Sequence, residues 1–303
     1  MLTTLGSVQG RSFNGFDLQG VLIPIDEIHH GGPDRDGIPA ISEPKFVPAE
    51  DSDWLAPDAR VLALELSGVA KVYPVSILNW HEIVNDQING KSLIVTYCPL
   101  CGSGMAFSAK VESRRLNFGV SGLLYNSDVL LYDRETESLW SQLMKRAVSG
   151  PLKGKALAML PLEHTTWARW SRLHPDTLVL SKDTGYKRRY QADPYAGYQG
   201  IAGTYFPVKQ LDPRYHPKQQ TLGLELEGQF KAYPLVELDK AGGEINDTLA
   251  GREVRVFYDR ASHSAWAVDA KGEKIPTVTL FWFAWMAFHP ESAVFVKPDH
   301  ATE

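Results

Sequence analysis

The chain repeats itself, and that repeat limits its fold more than any other feature, because two copies of one pattern must close two copies of one structural unit. The segment VLALELSGVAKVYPVSIL, from Val61, is echoed by TLGLELEGQFKAYPLVEL, from Thr221. Both alternate apolar residues at the period of a strand, turn at Gly, and end a second strand in Tyr-Pro. HEIVNDQINGKSLIVTYC, from His81, is echoed by GGEINDTLAGREVRVFYD, from Gly242, with the Asn-Asp pair and the following Gly kept as turn residues. WSRLHPDTLVL, from Trp170, is echoed by WMAFHPESAVF, from Trp285; each reads as a short helix closed by His-Pro and followed by a strand. The expected fold class is therefore α+β and β-rich, with two internally duplicated β-rich units carrying short helices. The boundaries read as an N-terminal extended segment packing on the core (1–60), a first unit (61–182), a linker loop (183–220) and a second, degenerate unit (221–303).

At 303 residues the chain can bury a large core without staples. A net charge of -5, with no run of Lys and Arg, argues against nucleic acid and leaves a small molecule or a protein as the expected partner. The most apolar stretch, TLFWFAWMAF (Thr279 to Phe288), is too short to cross a bilayer and reads as a buried helix, so no membrane span is expected. MLTTLGSVQGRSFNG lacks the apolar core of a secretory signal. That implies the cytoplasm by default, or an extracytoplasmic place if the N-terminus has been trimmed.

The repeat also separates scaffold from candidate site. His81, Cys98 and Cys101 fall opposite Gly242, Asp259 and Ser262, so three residues able to hold one metal vanish together from the second unit. His174 and His289 persist in both copies and read as structural, as do Trp167 and Trp170 at helical spacing, matched by Trp282 and Trp285. From Phe107 to His174 the first unit uses 67 residues where the second uses 21, which leaves a 46-residue insert. It contains FGVSGLLYNSDVLLYDRETESLWSQ, rich in polar side chains among strand formers. The insert is expected to cover the cysteine turn and line a pocket with Asn126, Asp128 and Gln142, the candidate catalytic residues.

Cys98 and Cys101 are the only cysteines, in a Cys-Pro-x-Cys-Gly turn after a strand. This is the shape of a metal knuckle, which supplies two sulfur ligands where zinc takes four. His81 is the expected third ligand, with His164 and Glu82 weaker choices for a fourth. Thiolates with imidazole suit zinc or copper, and the spacing does not choose between them. Thiol-disulfide exchange through Cys98 and Cys101 is the competing chemistry, but GSGMAF after Cys101 reads as loop and strand, not as the helix that activates a redox thiol. A third reading makes the same residues a non-catalytic structural or metal-handling module. No phosphate-cradling Gly loop, GxSxG elbow or HExxH helix is present, so those chemistries lack support.

Several motifs in order, GGPDRDGIPAI, NWHEIVND, VTYCPLCGSG, FGVSGLLYNSD, YDRETESLWSQ and HTTWARWSRLHPDT, give the chain a resemblance. From about Ile23 to Phe257 it resembles a bacterial family designated domain of unknown function number 3179. The resemblance implies little about activity; many members carry export signals, which implies an extracytoplasmic setting. The combined expectation is a transition-metal-binding protein, with a Cys-Pro-x-Cys plus His site under a polar insert, acting on a small molecule if it is an enzyme.

Overall fold

The computed structural model describes residues 12–298. Residues 1–11, which carry most of the stretch read for an export signal, lie outside the described residues. Five separate β-sheets of four or five strands form the blades of a β-propeller. Blade I is ordered Glu163–Thr166, Arg60–Leu66, Val69–Pro74, Leu178–Leu180, Phe46–Pro48, and blade II Met159–Leu160, Ser103–Ser108, Lys91–Cys98, Ile83–Ile88. Blade III runs Arg146–Ala147, Leu139–Ser141, Asp128–Asp133, Phe118–Tyr125, Ile28–His30. Blade IV runs Thr277–Phe281, Gln220–Leu226, Gln229–Pro234, Ala293–Val294, and blade V Glu244–Leu249, Arg252–Asp259, Ser264–Asp269, Lys274–Ile275.

This corrects the expected α+β fold of two duplicated units. Each Tyr-Pro hairpin and each Asn-Asp hairpin closes a sheet of its own, so one turn of the sequence repeat spans two blades. Val61 pairs with Pro74 in blade I as Thr221 pairs with Pro234 in blade IV. Cys98 pairs with Ser103 in blade II as Asp259 pairs with Ser264 in blade V. The insert supplies four of the five strands of blade III, and the N-terminal segment adds edge strands to blades I and III. The misreading has a physical cause: period-two patterning reports strands, not how many sheets those strands close into.

The α-helices are four, of six or seven residues, among the described residues: α1 (Val75–His81), α2 (Trp167–Leu173), α3 (Leu235–Lys240) and α4 (Trp282–Phe288). Pro74 and Pro234 end their strands and stand as the N-cap residues of α1 and α3, where proline's fixed φ fits the extended backbone and its missing N–H leaves the sheet without a donor to continue it. The stretch expected as one buried helix splits, Thr277–Phe281 closing blade IV and α4 following it. Trp170, Trp282 and Trp140 are fully buried, each ring contributing roughly 2–3 kcal/mol by its removal from water. The largest apolar cluster draws on blades II, III and IV and includes both cysteines. No described helix is long and apolar enough to cross a membrane.

Candidate metal centre

Two hairpin tips meet at the cysteines. In blade II the strand ending at Cys98 returns at Ser103 through Pro99, Leu100, Cys101 and Gly102. Gly102 has φ +60°, and a Cβ there would stand 3.0 Å from the Phe281 ring, so only glycine closes this turn without strain. The Phe281 N–H donates to the Cys101 carbonyl (2.8 Å), docking the turn on blade IV. In blade III, Asn126 (φ +51°) and Ser127 (φ +63°) make the two-residue turn between Tyr125 and Asp128. Both thiols donate to the Ser127 carbonyl, at 3.7 Å from Cys98 Sγ and 3.4 Å from Cys101 Sγ.

Asp128, the first residue after that turn, completes the cluster. Its carboxylate and the two sulfurs offer ligand atoms all within 4.8 Å of one another, and all three residues are buried. Oδ2 accepts from the Leu143 N–H (3.1 Å), whereas buried Oδ1 has no hydrogen-bond partner. Burial raises the Asp128 pKa to about 7 against the pull of the Leu143 and Val129 N–H groups and of the two neighbouring thiols, and burial likewise raises both thiols, Cys101 most. Glu82 adds a fourth acid, pushed up to about 8 by burial and by the charge of Asp128. Lys218 lies within electrostatic reach of Cys101, its ammonium 4.1 Å from the centre of the Tyr198 ring and donating to the Gly203 carbonyl.

His81 is not drawn into the cluster. Its Nδ1 stands 2.7 Å from the Pro39 carbonyl, which can only accept, so Nδ1 donates and Nε2 accepts from the Tyr190 hydroxyl at 2.7 Å. Both ring nitrogens are therefore engaged, and burial holds the ring neutral. His164 stacks edge-on to Tyr97 (6.1 Å), outside the cluster. Gln142 accepts from Ser103 Oγ (2.6 Å) and donates to Thr96 Oγ1 (2.8 Å), while Asn126 Oδ1 accepts from the Lys209 N–H (2.9 Å). These two side chains tie strands and turns together beside the thiols. The insert does reach the cysteine turn, through the backbone of Ser127 and the side chain of Asp128.

Sequence reasoning passed over the conformation of Glu82. It caps α1 with φ +56°, and its carbonyl accepts from the Tyr97 N–H (2.7 Å) as that of Gly243 (φ +88°) accepts from Tyr258 (2.7 Å). Glutamate thus stands where the second copy keeps glycine, a signal already present in the pairing of HEIVND with GGEIND, one residue past His81. Glu82 borders a cavity of about 230 Å³ with mostly apolar walls, among them Leu100, Val129, Tyr195 and Phe206. In blade V the positions opposite the cysteines hold Asp259 and Ser262, whose hydroxyl donates to that carboxylate (2.8 Å). The second copy has replaced the two thiols by a self-satisfied pair.

The fold and the cluster define a five-bladed β-propeller with a buried Cys-Cys-Asp group between two hairpin tips. The chain belongs to the family described as "Protein of unknown function (DUF3179)", whose model matches residues 35–274. No curated protein and no solved structure matches it.

Proposed function

We propose that the protein binds a transition metal, zinc, through Cys98, Cys101 and Asp128, and uses it on a small molecule. The observation that carries this is Asp128 Oδ1, a fully buried carboxylate oxygen with no hydrogen-bond partner, beside two buried sulfurs. A buried polar atom without a partner costs about 1–3 kcal/mol, and a divalent ion between these three donors would remove that cost and reverse the desolvation of both thiols. Two thiolates with a carboxylate suit zinc better than copper(I), which prefers sulfur and imidazole. Three protein ligands leave the fourth tetrahedral position to water or substrate, the arrangement of a catalytic zinc site and not of a closed structural one. Glu82, within the electrostatic reach of Asp128 and bordering a cavity, would be the residue that exchanges a proton in this reading.

Thiol-disulfide exchange fits less well. Both thiols are buried and raised in pKa, and a strand follows them, so nothing makes either an exposed thiolate. The test is elemental analysis after purification without added metal, followed by titration with zinc and with cobalt(II), whose thiolate charge-transfer band reports sulfur ligation. One equivalent of metal is expected for the wild-type chain. Cys98→Ser should abolish binding and Asp128→Asn should weaken it by about 10- to 100-fold. Full occupancy in the Cys98→Ser protein, or no binding by the wild type, would overturn the proposal.

A further inference from the structure

A second feature borders the cysteine turn but does not depend on what the thiols hold. Blades I, II, IV and V, with the loop that joins the two halves of the chain, converge on a cavity of about 670 Å³, the size of small-molecule sites. The cysteine turn contributes to its wall at Pro99 and Gly102. Arg60, at the start of its blade I strand, borders this space.

The Arg60 guanidinium donates to three carbonyls, those of Ser262 (2.5 Å), His164 (3.0 Å) and His263 (3.3 Å). Among the described residues no carboxylate forms an ion pair with it. Two aspartates do border the cavity: Asp58 is exposed, and Asp193 already accepts from Asn79 Nδ2 (3.1 Å) and the Tyr195 N–H (2.9 Å). Burial lowers the Arg60 pKa to about 10, which reflects a cation removed from water without a counter-charge. Beside it, His164 is 6% exposed, and its Nδ1 has no hydrogen-bond partner. A partnerless ring nitrogen beside a guanidinium without a counter-charge marks a place where a ligand completes the hydrogen bonding. Tyr97, Tyr195, Tyr198 and Phe281 add aromatic faces to the walls.

We propose that this cavity binds an organic anion, a carboxylate or a phosphate monoester, with its charged oxygens on Arg60 and His164 and a ring among the aromatic side chains. Guanidinium suits this role because it stays charged, and the three carbonyls leave its Nε–H and one Nη1–H free to donate to an anion's oxygens. The tyrosines and Phe281 offer the flat apolar surface that a ring requires.

Isothermal titration of the full chain at neutral pH and low salt tests it, with benzoate, phenyl phosphate, benzyl alcohol and benzylammonium as probes. At least one of the two anions should bind about tenfold or more tightly than benzyl alcohol, and the stronger of them tells whether carboxylate or phosphate is the natural group. Arg60→Gln should remove that preference. Because Arg60 also ties three carbonyls, Ala261→Glu is the second variant: it places a carboxylate at this exposed cavity position and leaves those bonds intact. That variant should keep the wild-type thermal midpoint and bind the anion at least about tenfold more weakly, with benzyl alcohol unchanged. Failure of both anions to bind, equal binding of anion and alcohol, or an Ala261→Glu protein with wild-type anion affinity would each overturn the assignment.

Discussion

Glu82 holds a backbone conformation, φ +56° and ψ -30°, that a side chain normally avoids and that glycine adopts freely. It also keeps a carboxyl group in a nearly closed environment, and burial together with the charge of Asp128 raises its pKa to about 8. Strain of this kind persists where a side chain is wanted for something other than folding. Replacing Glu82 by Gly should therefore stabilise the metal-free protein by about 1 kcal/mol, the relief of φ strain and desolvation exceeding the extra entropy of an unfolded glycine. Urea unfolding of both metal-free proteins at neutral pH measures it. A lower midpoint in Glu82→Gly would mean that the carboxyl group is structural. The same residue shows where legibility ended: its chemistry was visible as a weak ligand candidate, but its conformation becomes apparent only when Gly243 is set opposite it. His81 lies outside the Cys98-Cys101-Asp128 group, and a loss in step with the cysteines is equally well produced by a ring wedged between Pro39 and Tyr190.

The cysteine turn and the Asn126-Ser127 turn belong to different blades, and the centre exists only where their tips touch. The first was legible because its chemistry and its glycine lie within five consecutive residues. The partnership with Asp128 was not, because contact between two hairpins distant in sequence leaves no periodicity or spacing to read. Gly102 is the pivot of the first tip. Its φ of +60° and the Phe281 ring beside it make Gly102→Ala unfavourable on both backbone and steric grounds. The substitution should cost about 1–2 kcal/mol in unfolding free energy. Because the ring belongs to blade IV, the turn rather than the ring should yield, moving Cys101 and weakening zinc binding by about tenfold or more. Competition with a chromophoric chelator reads that loss. An unchanged affinity in a destabilised protein would show that the turn positions its sulfurs without the help of Gly102.

Across the whole molecule, the duplicated pattern was legible because hairpin turns and Tyr-Pro strand ends are local. The number of blades was not, since it depends on which strands leave one sheet for the next. The seam between blades I and V shows what holds such separate sheets together. Glu163 of blade I pairs with Arg169 of α2 at 2.6 Å and with Lys274 of blade V, while Arg169 lies 4.5 Å from the centre of the Trp266 ring and Ser264 Oγ donates to Thr165 Oγ1 at 2.7 Å. Burial alone would raise the Glu163 pKa, but Lys274 and then Arg169 outweigh it and leave it below the ordinary glutamate value. For an acid with a depressed folded-state pKa, the stabilisation is present above the unfolded pKa, here near the ordinary 4.5, and is lost as pH falls through the folded value. The seam should accordingly loosen in acid while remaining intact at neutral pH. Glu163→Gln leaves two cations facing a neutral amide and should cost about 3 kcal/mol at pH 7, as expected for one partner removed from a largely buried pair. The gap between variant and wild type should then shrink as pH is lowered below the ordinary glutamate value, because the wild type loses what the variant never had. Chemical unfolding of both proteins at pH 7 and at successively lower pH measures it, and a gap that stays constant with pH would assign the loss to packing instead of charge.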